Sequence, residues 1–243
     1  MDRRSLVSGV IAALLLLGAA LPAPVDAGGY NDSYNDPKDP TIGAIVSVRG
    51  EVALGDESVA HALKRYASVS NDDPFDDSAW SRFRKAKVFD TLPSGTVVLV
   101  REGSATLSFI RGAAEAVDEG QQVAGAVLGD YSVMLVSYRE TLAFMSGALR
   151  TTTLELLEGT VRYTTWEAWQ HQQEEAKLNF RAGPLAISVK GTDFTIEHAP
   201  REDRVSITLM EGEIVVTGPY GSRIYKDNAT ATYVGGKYQG GPS

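Results

Sequence analysis

The sequence has no cysteine and only three histidines among its 243 residues. Without cysteine, the chain has no disulfide framework, no thiol nucleophile and no thiolate zinc site. The histidines stand far apart in sequence and lack the paired spacing of a zinc-binding helix; they are His61, His171 and His198. We therefore expect neither a metal site nor a cofactor.

Catalytic motifs are equally scarce. The serines stand in neither a G-x-S-x-G nor an S-x-x-K pattern, and no glycine-rich phosphate loop precedes a helix-like segment. Two carboxylates that meet only in space leave no local pattern, so a glycosidase-type hydrolase stays open as the least favoured alternative. The sequence predicts a protein that is not an enzyme.

Positive charge is in deficit, because 23 Lys and Arg against 31 Asp and Glu give a formal net charge of −8. Nucleic acid binding draws its affinity from clustered cations. The cluster at Arg82, Arg84, Lys85 and Lys87 is interpreted as the solvated face of a short helix, and we expect no nucleic acid partner. The acidic run at 72–77 lacks the residue order of an EF-hand, so it is interpreted as a loop before that helix.

Long apolar runs are missing except at residues 6–21, which follow a short basic start. This run is shorter than the roughly 20 residues that a membrane-spanning helix needs, and the layout is typical of a signal peptide. We predict a signal peptide at 1–27 and a mature chain that starts near Gly28, exported to the periplasm or beyond. An uncleaved inner-membrane anchor is the alternative. Residues 28–40 are predicted to form a flexible leader.

From Thr41 onwards, short runs rich in Val, Ile, Leu, Thr, Tyr and Phe are interrupted by Gly, Asn or Asp. In the run 205–209, VSITL, apolar residues fall at every second position, which places them on one face of a strand. The pattern predicts an all-β domain over 41–217, either an antiparallel β-sandwich or a jelly-roll-like fold. Other spacings predict short helical insertions near 78–87 and 165–177. The Gly- and Tyr-rich tail at 218–243 has room for an added strand.

A glycine stands midway between two apolar residues at three places in the chain. The three segments are Val48-Arg49-Gly50-Glu51-Val52, Leu157-Glu158-Gly159-Thr160-Val161 and Met210-Glu211-Gly212-Glu213-Ile214. Within a strand, such a glycine admits another backbone or ring, or marks a bulge or turn. We predict structural roles for Gly50, Gly159 and Gly212.

Aromatic residues concentrate in the leader, the second insertion and the tail. They are Tyr30, Tyr34, Trp166, Trp169, Tyr220, Tyr225, Tyr233 and Tyr238. Such rings could form a sugar-binding platform, or they could cover the edge of a sheet. The second interpretation is favoured, and a glycan ligand stays open.

One part of the chain resembles a known family. Residues 182–196, AGPLAISVKGTDFTI, resemble the signature of FecR-type periplasmic domains, and residues 205–216, VSITLMEGEIVV, resemble the hairpin that follows it in that family. Weaker resemblances extend upstream to Thr41. The chain departs from the family with Lys190 in place of an arginine and Gly183 in place of a threonine. Since lysine lacks the planar donor fork of arginine, any bidentate role of that arginine does not carry over.

The resemblance implies a β-rich domain without enzymatic activity. In the founding group, such a domain receives a signal from an outer-membrane transporter and follows a cytoplasmic anti-sigma segment. Residues 1–5 are too short for that segment, so we expect a stand-alone secreted form. The resemblance also implies a binding turn made of Lys190, Gly191, Thr192 and Asp193. Alternation along the following strand places Phe194 in the core, in a structural role.

Three functions follow, in order of preference. The first is a non-catalytic binding module of the bacterial cell envelope, active in signalling or assembly, with an envelope protein as partner. The second is a carbohydrate-binding or surface structural protein. The third is a hydrolase with paired carboxylates. After signal cleavage, we expect no stable membrane span.

Overall fold

The strands of this chain are long, and several of them change partners halfway along. The computed structural model describes residues 41–56, 58–59, 75–81, 83–110, 122–143, 147–165 and 176–241. Thirteen strands form one continuous sheet: β1 (Thr41–Gly55), β2 (Arg84–Lys85), β3 (Thr91–Pro93), β4 (Thr96–Ile110), β5 (Gln122–Leu128), β6 (Ser132–Ala143), β7 (Gly147–Thr165), β8 (Ala176–Ala182), β9 (Leu185–Ala199), β10 (Arg204–Gly218), β11 (Gly221–Lys226), β12 (Thr230–Val234) and β13 (Lys237–Gly240). The all-β prediction is confirmed. A four-residue helix, α1 (Asp77–Trp80), and a single 3-10 turn, Pro200–Glu202, complete the described elements.

The pairings divide the continuous sheet into two layers that share five strands. In the layer named sheet I, the order is β2, β1, β4, β6, β7, β8, β9, β10 and β11. In sheet II it is β3, β1, β4, β5, β7, β9, β10, β12 and β13. The shared strands are β1, β4, β7, β9 and β10, and all pairings are antiparallel except the parallel pair β7–β8. Strands that switch sheets at bulges are a known way of making the corners of a sandwich.

Bulge glycines mark the points where shared strands pass from one layer to the other. Gly50 and Gly103 face each other across the β1–β4 pair, with φ angles of 75° and 97°. Gly159 in β7 and Gly212 in β10 have φ angles of 94° and 95°. A Cβ at Gly50 would collide with the Glu102 carbonyl group, and one at Gly159 would collide with the Tyr131 carbonyl oxygen. Gly50, Gly159 and Gly212 thus have the positive φ typical of a bulge, the kind of structural role that the sequence predicts for them; the sequence interpretation missed Gly103.

Two of the bulges are closed by an aspartate from a neighbouring turn. The Asp130 carboxylate, in the turn between β5 and β6, accepts a hydrogen bond from the Gly103 amide. In the same way, Asp227, between β11 and β12, accepts one from the Gly212 amide at 2.5 Å. In both turns the residue after the aspartate is left-handed, with φ of 50° at Tyr131 and 61° at Asn228. Each carboxylate satisfies an amide that the bulge removes from the strand ladder.

One apolar core lies between the two layers. The rings of Tyr163 and Phe194 from sheet II and Phe180 from sheet I pack edge to face, with centroids 4.3 Å apart for Tyr163–Phe180 and 5.1 Å for Phe180–Phe194. All three side chains are fully buried. A smaller cluster lies on the outer face of sheet I, where Phe75 and its neighbour Trp80 cover residues of β4 and β6. The first predicted insertion therefore packs on the β core.

The limits of the predicted insertions are wrong. The first insertion contains only the short α1, because residues 84–85 pair with the edge of β1 and the Ala86 amide donates to the Val52 carbonyl oxygen at 2.9 Å. The second predicted insertion, at 165–177, is too long at both ends. Thr165 is the last residue of β7 and pairs with β5, and Ala176 is the first residue of β8 and pairs with β7. Residues 166–175 lie outside the described residues, as do the predicted signal peptide and leader. The tail supplies three strands, β11 to β13.

Candidate functional site: the polar face of sheet II

The segment that resembles the family signature does not form a turn. Residues 190–193 lie within β9, where the pairing of Lys190 with Glu213 and of Asp193 with Glu211 leaves Gly191 and Thr192 opposite a single β10 residue. This is a β-bulge, because the strand stays paired with β10 on both sides of it. The predicted turn is therefore wrong.

The four predicted binding residues are also not presented together. Thr192 is buried, with 3% of its surface exposed, whereas Asp193 points to the outer face of sheet II. For Lys190 and Gly191 the structure describes the backbone alone. Phe194 is fully buried, as predicted, since it contacts Tyr163 and Phe180 in the core.

Asp193 belongs to an ordered ion pair on the outer face. Its carboxylate accepts two hydrogen bonds from Arg162 on β7, from Nε at 3.1 Å and from a terminal guanidinium nitrogen at 2.7 Å. These hydrogen bonds raise the pKa of Arg162, and its burial only partly opposes the effect. A bidentate pair fixes the orientation of both side chains as well as their separation.

A second arginine organises the charges at the opposite end of the same face. The Arg204 guanidinium donates to Glu202 at 2.7 Å, to Glu197 at 3.0 Å and to the Ser206 hydroxyl at 3.2 Å. The hydrogen bond to Glu202 raises the pKa of Arg204, and Glu197 adds to the increase. Both arginines are therefore charged and already oriented by carboxylates.

Arg162 also belongs to a row of residues in cross-strand register. The row crosses six strands, at Thr106, Val127, Arg162, Thr195, Thr208 and Thr230. Each member alternates with buried residues such as Leu107, Ile196 and Ile207, so the row faces outwards. At about 4.8 Å between strands, it is about 24 Å long. Parallel to it on one side lie Thr160, Glu197, Ser206 and Thr232. We name this surface the polar face.

Three of the four tyrosines of the tail form a packed cluster instead of an open platform. The Tyr225 and Tyr233 hydroxyls are 2.8 Å apart, and the Tyr238 ring packs against both rings. The Arg223 guanidinium lies 4.2 Å from the centroid of Tyr238. Tyr220 is exposed over 74% of its surface. The interpretation in which tail rings cover the sheet agrees with this packing.

The remaining residues considered as catalytic or metal-binding candidates do not form a site in the described part of the chain. His198 lies in β9, and its Nδ1 is 2.9 Å from the Leu156 carbonyl oxygen. Burial lowers the pKa of His198, and the hydrogen bond with Leu156 opposes this effect. Within the described residues, no group of three or more His, Asp or Glu side chains could hold a metal ion, and none of the helices has the length and hydrophobicity to cross a membrane. His61 and His171 lie outside these residues.

Comparison with known proteins gives few matches. No protein-family model matches the chain, and no curated protein matches its sequence. Among solved structures three chains match, including two crystal structures of a “putative anti-sigma factor” from Parabacteroides distasonis. Each is 14% identical, with a TM-score of 0.41, over 59% of this chain and 57% of that chain. The chain thus spans little more than half the length of these structures, and the FecR-type resemblance stays a prediction.

Proposed function

We propose that this chain is an exported, non-catalytic binding module of the bacterial cell envelope that recognises a protein partner through the polar face. The observation that carries the proposal is the outward row at Thr106, Val127, Arg162, Thr195, Thr208 and Thr230. The FecR-type resemblance supports it, since the β9 segment with that resemblance supplies Asp193 and Thr195 to the face.

The composition of the polar face suits recognition. Threonine and serine have short side chains with few rotamers, so fixing them against a partner costs little conformational entropy. Their hydroxyls donate and accept hydrogen bonds, and the strand spacing sets the distances between them. Arg162 and Arg204 are held by carboxylates before any partner arrives. Binding to such a surface needs little rearrangement of the domain.

Site-specific photocrosslinking in the native envelope tests the proposal. A photoreactive amino acid at Thr208, an exposed member of the row, should capture a discrete protein partner. The matched control is Thr217, which is exposed on the same strand but belongs to the part of β10 in sheet I. Equal capture from positions 208 and 217, or capture from neither, would contradict the assignment of the polar face.

Charge exchange at the ion pair gives a second test of the same surface. Arg162→Asp alone removes the guanidinium and leaves two carboxylates facing each other, so partner capture should fall. Arg162→Asp combined with Asp193→Arg restores an ion pair of reversed polarity. If orientation of the face is all that matters, the double variant recovers capture; if the partner reads the sign of the charges, capture stays low. Unchanged capture in the single variant would refute the role of Arg162.

Export and the competing functions have their own measurements. The intact mass of protein from an envelope fraction should correspond to a chain that begins near Gly28, and recovery of a membrane-bound species that retains Met1 would refute cleavage. A glycan array tests the carbohydrate-binding alternative, and a turnover screen on envelope polysaccharides tests the hydrolase alternative. A strong signal in either would displace the protein-binding proposal.

A further inference from the structure

A bulky residue in a strained conformation stands at an exposed tip between β2 and β3. Phe89 has φ of 70°, in the left-handed region, and 73% of its surface is exposed. Its neighbour Val88 is 43% exposed. A left-handed conformation is unfavourable for a large side chain, and such residues persist where the surroundings determine the backbone. We name residues 84–90 the basic tip.

Hydrogen bonds hold the basic tip in this conformation. The Phe89 amide donates to the Ile45 carbonyl oxygen at 2.7 Å, and the Ile45 amide donates to the Asp90 carbonyl oxygen at 2.9 Å. The Asp90 carboxylate also accepts from the Lys87 amide at 2.7 Å. The turn is thus fastened to β1, and it presents two adjacent apolar side chains to the outside.

The charge of the basic tip is opposite to that of the chain as a whole. Residues 84–90 contain Arg84, Lys85 and Lys87 against one carboxylate, that of Asp90, so three positive charges and one negative give +2 within a chain of −8. Arg84 is paired with Asp90 at 2.8 Å, and all three cationic residues are exposed. Glu51 lies close enough to feel the charge of Lys85. Lys87 and, in part, Lys85 are left to interact with an external anion.

We propose that the basic tip docks this protein on an anionic lipid surface. Aromatic and aliphatic side chains at a protein tip bury in the interfacial region of a bilayer, where the ring is partly removed from water. Lysine side chains next to them reach the phosphate groups of anionic lipids. The charge sign of the tip directs it towards such a surface, and the acidic remainder of the domain is repelled from it.

The size of the basic tip favours lipid over a folded protein as the ligand. A stable protein–protein interface buries roughly 800 Å² on each partner, far more than two apolar side chains on one turn supply. Insertion into the membrane interface has no such area requirement, and the binding is weak and reversible. Each lysine near an anionic surface contributes about fivefold in affinity, and added salt weakens the effect.

A fluorescent reporter beside Phe89 tests the proposal. Because the chain has no cysteine, Val88→Cys can be labelled at one site with an environment-sensitive dye. With vesicles of equal parts phosphatidylglycerol and phosphatidylcholine, the dye should report an apolar environment; with phosphatidylcholine alone, or at high salt, it should report water. The same dye at Tyr220→Cys, an exposed position in the turn between β10 and β11, should report water with both vesicles.

Substitution of Phe89 separates membrane docking from stability. Asparagine tolerates the left-handed conformation well, so Phe89→Asn keeps the turn and removes the ring. In the Val88→Cys background, it should weaken the vesicle response about tenfold, and Lys85→Gln with Lys87→Gln should weaken it by up to about 25-fold. A response that is identical with neutral vesicles, or insensitive to these variants, would overturn the proposal. A dye that leaves water only when an envelope protein is added would overturn it in favour of a protein ligand.

Discussion

At the scale of single residues, the core contains a buried tyrosine hydroxyl without a hydrogen-bond partner among the described residues. The Tyr163 side chain is fully buried, and its hydroxyl forms no hydrogen bond with the described residues. Burial raises the pKa of Tyr163 well above its ordinary value, so the hydroxyl is neutral. An unpaired buried hydroxyl lowers stability, because water solvates it in the unfolded chain and nothing replaces that water in the fold.

Removal of this hydroxyl should therefore stabilise the protein. We expect Tyr163→Phe to raise the free energy of unfolding by about 1 kcal/mol, measured by urea denaturation. The matched control is Tyr233→Phe, which deletes a hydroxyl that is 2.8 Å from the Tyr225 hydroxyl and should lower the free energy of unfolding by about 1 kcal/mol. A loss of stability in Tyr163→Phe would show that the hydroxyl has a partner in the folded protein.

Buried His198 should make the stability depend on pH. Its pKa is lowered in the fold from an ordinary value of 6.5, chiefly by burial, so the unfolded chain binds a proton more readily than the folded one. The contribution is therefore fully present above pH 6.5 and is lost as the pH falls through the lowered pKa. We expect the free energy of unfolding to drop less between neutral and mildly acidic pH in His198→Gln than in the wild type. Equal drops would contradict the assignment, since the other histidines are common to both proteins.

At the scale of elements, two separate causes favour glycine at a bulge: the backbone has a positive φ, and the neighbouring strand leaves no room for a side chain. Gly103 has φ of 97°, and a Cβ there would collide with the Arg49 carbonyl group on the facing strand β1. We expect Gly103→Ala to lower the free energy of unfolding by about 3 kcal/mol or more, because β1 must move away in addition to the strain.

Gly221 separates these two causes. It has φ of 115°, and no described heavy atom lies within 4 Å of an added Cβ. Gly221→Ala therefore carries the backbone cost alone, about 1 kcal/mol. If chemical denaturation shows the same loss in the free energy of unfolding for both variants, the close approach of β1 and β4 does not add to the cost, and the positive φ alone explains the need for glycine.

At the scale of the whole molecule, the two layers cannot separate without breaking shared strands. Five strands pass through both, and the Phe180 ring of sheet I packs on two rings of sheet II. We expect one cooperative unfolding transition, in which far-UV circular dichroism, reporting strands, and near-UV circular dichroism, reporting aromatic packing, have the same midpoint. Two separate midpoints would mean that the layers unfold independently.

The sequence predicts the parts of this fold that follow from local pattern. Strict alternation identifies β10, and the same alternation places Phe194 in the core. The glycines at positions 50, 159 and 212 stand out because each interrupts an alternating run. Partner exchange within β4 does not follow from alternation alone. Residues 105–107, which pair with β5, alternate between buried and half-buried, whereas residues 97–100, which pair with β6, are buried on both faces.

Long-range pairing also explains what the sequence interpretation missed. Residues 84–85 have a helix-like spacing, yet the free edge of β1 offers hydrogen bonds that a short, isolated helix cannot match. The polar face could not be predicted from the sequence either, because four strands pair between the strand of Thr106 and the strand of Thr230 to bring them into one row. A signal was present in the alternating Ser and Thr of 104–108, 206–208 and 230–232.

The two aspartate-closed bulges belong to one three-strand arrangement that occurs twice in the chain. In one copy, β4 bends at Gly103. The next strand, β5, pairs with the second half of β4, and the strand after that, β6, pairs with the first half. In the other copy, β10 bends at Gly212. The next strand, β11, pairs with the second half of β10, and β12 pairs with the first half. Both copies have Glu-Gly at the bend and, in the turn, Asp followed by a left-handed residue. A unit of one long bent strand and the two strands that follow it thus occurs twice, and β7, β8 and β9 lie between the two copies.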